Sequence, residues 1–386
     1  MNEKEIAEIR RHFHPEKSNI SNIRGCYINE KQEIIAEFTQ SVPLMAEDET
    51  EKFLTVLKRT LSGALEKNLF NMEFSTRQVV EGEEHKLLMA LRDSSLQDDD
   101  AVQAFFQLVI QSVFIDGNYL ILLAQDVYDV PYRSKEGEHQ EDAATDVFSY
   151  IMCSICPVKM TKPALSYFVR ENEFHSRTIE RIVSPPELGF MFPAFDDRST
   201  NIYGALYYSR NVAETYKEFV ETIFRNEAPM PAAVQKETFQ AILGDTLTSD
   251  SSYEVVQSIY GELQEMIVEH KADKREEPLR VSKSAVKQLL ASNNVSDGTV
   301  TAFEERFDNE FGAEAHLSPR NIVDTKLLEV ITPDVTIRVN PQRSDLIETR
   351  MIDGIKYILI RAEDGAALNG IPIHIFGPVQ KNGDEA

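Results

Sequence analysis

The sequence predicts an α+β protein. We expect a larger N-terminal domain, in which helices cover antiparallel hairpins, and a smaller C-terminal domain of helices followed by a β-meander. Two apolar runs, Leu188–Phe195 and Ile202–Tyr208, flank six polar turn-forming residues at 196–201, which indicates a β-hairpin. Both runs are apolar on nearly every residue, so helices should cover both faces of that hairpin. Beyond Pro319, helical periodicity gives way to short alternating segments typical of strands.

The length of the chain indicates more than one domain. A chain of 386 residues, 42% of them hydrophobic, exceeds one ordinary core and suffices for two. The segment Asn226–Pro231 contains two prolines and is the clearest linker in the sequence. We therefore predict domains at 1–230 and 231–386.

Charge and cysteine content limit the classes of function. With 64 acidic and 40 basic residues the net charge is −24, so the protein repels polyanions on average and nucleic acid would need a local basic face. Three cysteines do not make a disulfide scaffold and indicate a reducing compartment. The longest aliphatic-aromatic run, Tyr119–Ala124, is too short to cross a bilayer, and the charged N-terminus is unlike a signal peptide. A cytoplasmic protein with no membrane partner is expected.

The first half of the N-terminal domain alternates helices and strands. Ile6, Ile9 and Phe13 recur at helical spacing in a short helix that ends before Pro15. The acid triplet Asp98–Asp100 resembles a metal site, but acids at a helix start are typically caps. The other predicted elements are a hairpin of Ile23–Ile28 with Glu33–Phe38, a helix from Glu47, a strand at Leu69–Phe74, and helices around His85–Arg92 and from Asp98.

The second half of this domain supplies most of the predicted core. A long strand, Tyr119–Val130, precedes a polar exposed loop at Tyr132–Ala144. Two further core strands are predicted, at Val147–Val158 and Ala164–Val169. After the central hairpin, a helix is predicted over Val212–Phe224, with Asn211 as its N-cap.

The C-terminal domain begins with helices, predicted at Ala232–Leu243 and Ser252–Lys271. Ser282–Ala291 and Asp297–Phe311 then imitate a helix-turn-helix motif. Its second helix carries Glu304, Glu305, Asp308 and Glu310, a charge pattern wrong for the major groove. Predicted strands follow at Asp334–Val339, Ile347–Ile352, Ile355–Ile360 and Ile371–Phe376. Asp353-Gly354 is a tight-turn signal that joins the second of these strands to the third.

No catalytic residue, metal site or cofactor is predicted. The chain contains no glycine-rich phosphate loop, no HExxH and no GxSxG. Cys153 and Cys156 form a Cys-x-x-Cys pair, but on a strand they point to opposite faces, which favours two buried structural thiols over redox or zinc chemistry. Asp196, Asp197 and Arg198 on the hairpin link would be the first group to test in an enzyme, although an ordinary turn explains them. The sequence does not exclude enzymatic activity, but the lack of a nucleophile with an identifiable base favours a protein that is not an enzyme.

Two basic islands interrupt this acidic sequence. In the first, four cations and two histidines face the single acid Glu16 between residues 10 and 24. Ordinary solvated surface is the alternative explanation. The candidate phosphate-binding residues are Arg10, Arg11, Lys17 and Arg24 in the first island and Lys274, Arg275, Lys283 and Lys287 in the second.

Two resemblances to known families accompany these patterns. The segments EIAEIRRHFHPEKSNISNIRGCYINEKQEIIAEF, EEHKLLMALRDS and VQAFFQLVIQS resemble an uncharacterised bacterial family known only as a domain of unknown function. That resemblance implies no activity. From Ile202 onward, the segments YGALYYSRNVAETYKEFVETIF, VVQSIYGELQEMIVEH, LRVSKSAVKQLL and DVTIRVNPQRSDLIETRMIDGIKYILI are similar to the bacterial nucleoid-associated protein family. This second resemblance implies a non-enzymatic, chromosome-bound protein and transfers no site residues.

The function predicted from these observations is a non-enzymatic cytoplasmic protein that associates with nucleic acid or the nucleoid through its basic islands. The alternative is an acidic protein-interaction or scaffold module that binds a protein partner or self-associates as a homo-oligomer.

Overall fold

The structure is a computed structural model that describes residues 1–131, 146–273, 277–363 and 365–374. It divides into two compact units. The first comprises Met1–Thr238 with residues 277–279, and the second comprises Phe239–Asp273 and the described residues from Arg280 onward. The division falls inside one helix, eight residues after the predicted boundary at 230. The predicted loop Tyr132–Ala144 lies outside the described residues, as do Lys274 and Arg275.

An antiparallel sheet forms the centre of the first unit. The strands of this unit are β1 (Asn22–Ile28), β2 (Ile34–Ser41), β3 (Leu69–Glu73), β4 (Asn118–Val130), β5 (Asp146–Met160), β6 (Ala164–Phe168), β7 (Glu173–Arg177), β8 (Arg181–Val183), β9 (Leu188–Phe192), β10 (Ala194–Asp196), β11 (Ser199–Asn201) and β12 (Gly204–Ser209). The strand order of the sheet is β2-β1-β4-β5-β9-β12-β3, and β8 pairs with the far end of β5.

Helices cover both faces of this sheet. The helices are α1 (Glu3–His12), α2 (Glu47–Arg59), α3 (Thr76–Glu81), α4 (Glu83–Asp93), α5 (Asp99–Ser112) and α6 (Lys217–Ile223). One core joins α4, α5 and α6 to residues such as Leu123 and Phe190, and the other joins α1 and α2 to their strand neighbours Leu122 and Met191. Because successive strand residues point to opposite faces, these two cores lie on opposite sides of the sheet.

The second unit is helical and then β-rich. Its core packs Phe239, Leu263, Leu290, Phe303 and Phe307. Three separate two-stranded hairpins form the C-terminal meander. The helices are α7 (Ala232–Leu247), which begins in the first unit, α8 (Tyr253–Ala272), α9 (Lys283–Ser292), α10 (Asp297–Glu310) and α11 (Pro319–Ile322); the strands are β13 (Val281–Ser282), β14 (His316–Leu317), β15 (Leu328–Ile331), β16 (Thr336–Val339), β17 (Ile347–Ile352), β18 (Ile355–Ile360), β19 (Ala366–Leu368) and β20 (Ile371–Ile373).

The predicted α+β class is confirmed, and so is the central hairpin with helices on both faces. Strand β9 pairs antiparallel with β12, with Met191 opposite Leu206. The polar link differs from the expected loop because it forms a hairpin of its own. Strands β10 and β11 pair there, and Asp197 and Arg198 form the turn at φ values of 47° and 57°. Positive φ at both central residues is characteristic of a type I′ two-residue hairpin turn.

The predicted start of helix Val212–Phe224 at Asn211 is wrong. The helix, α6, begins at Lys217, because Tyr216 before it adopts a left-handed backbone with φ at 48°. The segment ahead of it is held as a turn by buried bonds. Tyr207 OH donates to the carbonyl oxygen of Thr215 at 2.9 Å, and Thr215 Oγ1 donates to the carbonyl oxygen of Pro229 at 2.9 Å.

The prediction of a core strand at Ala164–Val169 is also wrong. Strand β6 forms there, but it pairs only with β7 among the described strands, and most of its residues are exposed. Among the described residues, no helix or second sheet covers its apolar side chains. The sequence pattern correctly indicated a strand but gave no information on what covers it.

Candidate functional site

The N-terminal basic segment, residues 10–24, leaves α1 and runs across the sheet face that α1 covers. Arg11 and Lys17 are exposed and Arg10 is half-buried. Arg11 Nε donates to the carbonyl oxygen of Ala7 at 3.0 Å. Within the described residues, none of these three cations has an acidic partner, so their positive charges remain uncompensated. Three of the predicted phosphate-binding residues are thus at least partly exposed and carry charge that no described carboxylate neutralises.

A buried carboxylate holds this segment in place. Asp126 on β4 is 1% exposed, and the imidazole Nε2 of buried His12 lies 3.3 Å from its Oδ2. The carboxylate accepts hydrogen bonds from Ser18 Oγ at 3.1 Å, Asn19 N at 2.8 Å, Val127 N at 2.8 Å and Tyr150 OH at 3.2 Å. The conformation of the basic segment therefore depends on a residue more than 100 positions away in the sequence.

Arg24, the fourth cation of the first island, makes structural contacts within the first unit. Its guanidinium lies 2.8 Å from Asp99 Oδ1 and donates to the carbonyl oxygen of Leu96 at 3.2 Å. In the same acid triplet, Asp98 Oδ1 accepts from Ala101 N at 3.1 Å, which confirms its capping role for α5. The charge of Arg24 is thus already matched by a carboxylate.

In the second island, the positive charges of both described lysines are neutralised by acidic side chains. Lys283 Nζ lies 2.6 Å from Asp308 Oδ1, and Lys287 Nζ lies 3.0 Å from Glu304 Oε2. Both pairs join α9 to α10. The acids that make α10 unlike a recognition helix therefore neutralise the lysines of α9, which makes this helix pair a poor phosphate surface.

Asp196, Asp197 and Arg198, the first group to test in an enzyme, lie where β10 meets β11. Asp196 ends β10, and Asp197 and Arg198 form the turn. Arg198 Nη1 donates to both carboxylate oxygens of Glu8 on α1, at 2.7 and 2.6 Å, and Nη2 donates to the carbonyl oxygen of Pro131 at 2.7 Å. Asp196 lines a shallow pocket with Asn71 and Tyr203. Since the Arg198 guanidinium attaches the turn to Glu8 of α1 and to Pro131, the geometry favours a structural role for this group.

Three carboxylates meet beside this turn. Oxygens of Glu5, Asp196 and Asp197 lie within 4.8 Å of one another, the donor type that hard cations prefer. Burial raises the pKa of the Glu5 carboxyl above its usual range. The N-terminal amine of Met1 lies 3.6 Å from Asp196 Oδ1 and supplies positive charge there. Protein groups therefore account for the cluster, and we assign no metal to it.

Cys153 and Cys156 are free and buried on β5. Three positions apart on a strand, their side chains point to opposite faces, as the sequence indicated. Burial raises the pKa of Cys153 well above its usual range and that of Cys156 to about 12. Because the thiolate is both the nucleophile and the metal ligand, these protonated thiols are suited to neither role. The structural interpretation of the pair is the one the geometry favours.

Sequence reasoning missed a feature that we call the β-arm, residues Val158–Val183. The end of β5 pairs with β8 from Val158↔Val183, and β6 continues with β7 in the same register to Phe168↔Glu173. The exposed large hydrophobic side chains along it are Met160, Leu165, Tyr167, Phe168, Val169, Phe174, Ile179, Ile182 and Val183.

The two faces of the β-arm differ in charge. Across β6 and β7, Leu165 lies opposite Ser176 and Tyr167 opposite Phe174, and these pairs share one face. On β6 and β7 that face has no ionisable group except the Tyr167 phenol, and we call this part of the β-arm the charge-free face. The opposite face carries pairs such as Ala164 with Arg177, Ser166 with His175 and Phe168 with Glu173. An alternation of polar and apolar residues around turn residues 169–172 was the sequence signal for this arrangement.

A family model described as Domain of unknown function (DUF4317) matches residues 1–371. The chain belongs to this family. The resemblance of the N-terminal segments to a domain of unknown function is thereby confirmed. The DUF4317 match covers both units and brings no activity with it, and the resemblance to nucleoid-associated proteins stays a prediction. No curated protein matches the chain. Among the described residues, no helix is long and apolar enough to cross a membrane.

Proposed function

We propose that this DUF4317 protein is a cytoplasmic protein-interaction module whose contact surface is the charge-free face of the β-arm. The observation that carries the proposal is exposure: Leu165 is 75%, Phe174 68% and Tyr167 47% exposed on one face. Clustered exposed apolar side chains are typical of interaction sites, whereas single ones are ordinary. A two-stranded hairpin of this kind gains stability when its apolar face is covered.

Site-specific photocrosslinking tests this proposal. A benzophenone amino acid would replace Phe174 in one full-length variant and His175 in another. These neighbours lie on opposite faces of β7, which makes the second variant a matched control. On illumination in the protein's own host cells, we expect a discrete crosslinked species from position 174 and little from position 175. No crosslink from either position, or equal yields from both, would contradict the proposal.

A second candidate function is nucleic-acid association through Arg10, Arg11 and Lys17. It is favoured by their uncompensated charge on a segment that buried Asp126 holds in place. The net charge of −24 opposes it, so binding would depend on these local cations.

The nucleic-acid candidate makes a quantitative prediction. In fluorescence anisotropy with labelled duplex and single-stranded DNA and RNA, binding should weaken steeply from low to physiological salt. Charge reversal at Arg10 and Arg11 together should reduce the slope of log K against log salt by about 2, since each residue would contact one phosphate. Charge reversal at Lys287, which pairs with Glu304, should leave the slope unchanged. Absence of binding at low salt, or a slope indifferent to Arg10 and Arg11, would discard this candidate.

A further inference from the structure

The charge-free face of the β-arm has the chemistry of the centre of a protein interface. Tyr167 and Phe174 form its middle, with ring centroids 5.3 Å apart, and Leu165 lies opposite Ser176 toward the base of the arm. The phosphate groups of a nucleic acid would find no cation among these four residues. Protein interfaces commonly combine an apolar centre that is depleted of charge with a polar rim. The residues that surround this face therefore indicate what chemistry the partner offers.

The acidic side chains of the β-arm are already engaged within the arm. His175 Nε2 lies 3.0 Å from Glu171 Oε2 and 3.4 Å from Glu173 Oε2, and Arg177 pairs with Glu180. These three glutamates are all the acidic residues that the arm contains. A basic partner would have to compete with these contacts for each carboxylate of the arm.

Most of the basic side chains of the β-arm are uncompensated. Four exposed cations have no acidic partner among the described residues: Lys159, Lys162, Arg170 and Arg181. With five basic and three acidic residues the arm has a net charge of +2 in a chain of −24, which leaves −26 for the rest. The β-arm is therefore a local positive region of an acidic protein, and it attracts carboxylates rather than cations.

Two of these cations flank the charge-free face along the arm. Lys162 precedes Leu165 by three residues on the side of the base, and Arg170 follows Tyr167 by three residues at the tip. At about 3.3 Å per residue, each cation lies within roughly 10 Å of the apolar centre along the chain. A partner that covers the face comes within reach of both charges, since their attraction acts over about 8 Å at physiological salt.

From these observations we infer that the partner of the β-arm is a different protein, which presents an apolar strip with carboxylates at its two ends. The strip covers Leu165, Tyr167 and Phe174, and the carboxylates lie near Lys162 and Arg170. Such a partner needs negative charge only at this contact, whereas a second copy of this chain would be acidic over most of its surface and would be repelled. This inference rests on the proposed function, because it names the chemistry of the partner at the same surface.

The contact is expected to be transient and steered by charge. The apolar face alone, five residues on each of two strands, spans roughly 17 Å by 10 Å, far below the about 800 Å² per partner of a standard stable interface. Charges at the rim of an interface chiefly raise the association rate and make it sensitive to salt. Covalent capture in cells therefore suits this contact better than co-purification.

Photocrosslinking from position 174 tests this inference when it is combined with charge reversal. In the host cells, Lys162→Glu together with Arg170→Glu should lower the yield of the crosslinked species about 10-fold, because two attractions become repulsions. Arg11→Glu together with Lys17→Glu is the matched control. It changes the net charge of the chain by the same amount at two exposed cations outside the arm, and the yield should stay at the wild-type level.

Mass spectrometry of the crosslinked peptide identifies the contact on the partner. We expect acidic side chains beside the crosslinked position. Lysine in place of the two nearest carboxylates of the partner should restore the yield with Lys162→Glu and Arg170→Glu, because the charges are then exchanged. Restoration also shows that the doubly reversed arm still folds.

Three results would overturn the inference. They are an equal yield from the arm variant and its control, a partner segment without acidic side chains, and a crosslink to nucleic acid or to a second copy of this chain. If a discrete crosslink to another protein persists and does not respond to the charge reversal, the proposed function stands and only the acidic contact is excluded. If position 174 gives no crosslink, or the same yield as position 175, both proposals fail.

Discussion

Asp126→Ala is expected to lower the free energy of unfolding of the first unit by about 3 kcal/mol. The substitution removes the acceptor for the buried hydroxyl of Tyr150 and for two backbone N–H groups. Each buried donor left without a partner costs roughly 1–3 kcal/mol. Urea unfolding followed by far-ultraviolet circular dichroism measures the change.

The same substitution should also release the basic segment. Asn19 N and Ser18 Oγ both donate to the Asp126 carboxylate, so the chain around Lys17 loses its attachment to β4. Limited digestion with trypsin should then cleave after Lys17 faster than in the wild type, because local opening exposes the backbone.

Tyr150→Phe is the matched control, since it removes one donor and leaves the carboxylate with its other partners. A cost of about 1 kcal/mol is expected for it. An Asp126→Ala protein as stable as Tyr150→Phe, with unchanged cleavage after Lys17, would contradict the anchoring role of the carboxylate.

The sequence predicted elements well where a periodic pattern and a turn signal coincide. The apolar runs around residues 196–201 predicted β9 and β12, and Asp353-Gly354 predicted the hairpin of β17 with β18, where both residues have positive φ. Period and turn chemistry are local properties, and local properties can be derived from sequence.

Hydrogen bonds between residues far apart in the sequence could not be predicted from local patterns. Asp126 and Asn19 are 107 positions apart, and no periodicity connects them. The start of α6 was mispredicted for the same reason, because Tyr207 from β12 binds the carbonyl oxygen of Thr215 and holds the preceding turn. Tertiary hydrogen bonds outweigh helix propensity at such positions.

The lysines of α9 show a signal that was available in the sequence. Lys283 and Lys287 are four residues apart, as are their partners Glu304 and Asp308 on α10. Matching spacing of opposite charges on adjacent helices indicates paired faces. An interpretation of the acids and lysines together would have predicted ion pairs there and lowered the expectation of phosphate contacts.

Phe224→Ala should lower the free energy of unfolding of the first unit by about 4 kcal/mol. The Phe224 side chain is fully buried where α6 ends, in the core between the helices and the sheet. Truncation removes the apolar area of the ring and leaves a cavity that the surrounding strands cannot close. Its ring centroid lies 6.1 Å from that of Phe74, 5.4 Å from Phe190, 6.0 Å from Tyr207 and 6.2 Å from Phe219.

Phe114→Ala is the matched control. It makes the same substitution at a side chain that is 67% exposed. Its cost should stay within about 0.5 kcal/mol. In urea unfolding, Phe224→Ala should lower the midpoint and leave the slope unchanged, since the surface exposed on unfolding is nearly the same. Similar midpoints for the two variants would mean that α6 does not close this core. A lower slope would instead mean that α6 separates before the sheet unfolds, so that helix and sheet do not form one cooperative unit.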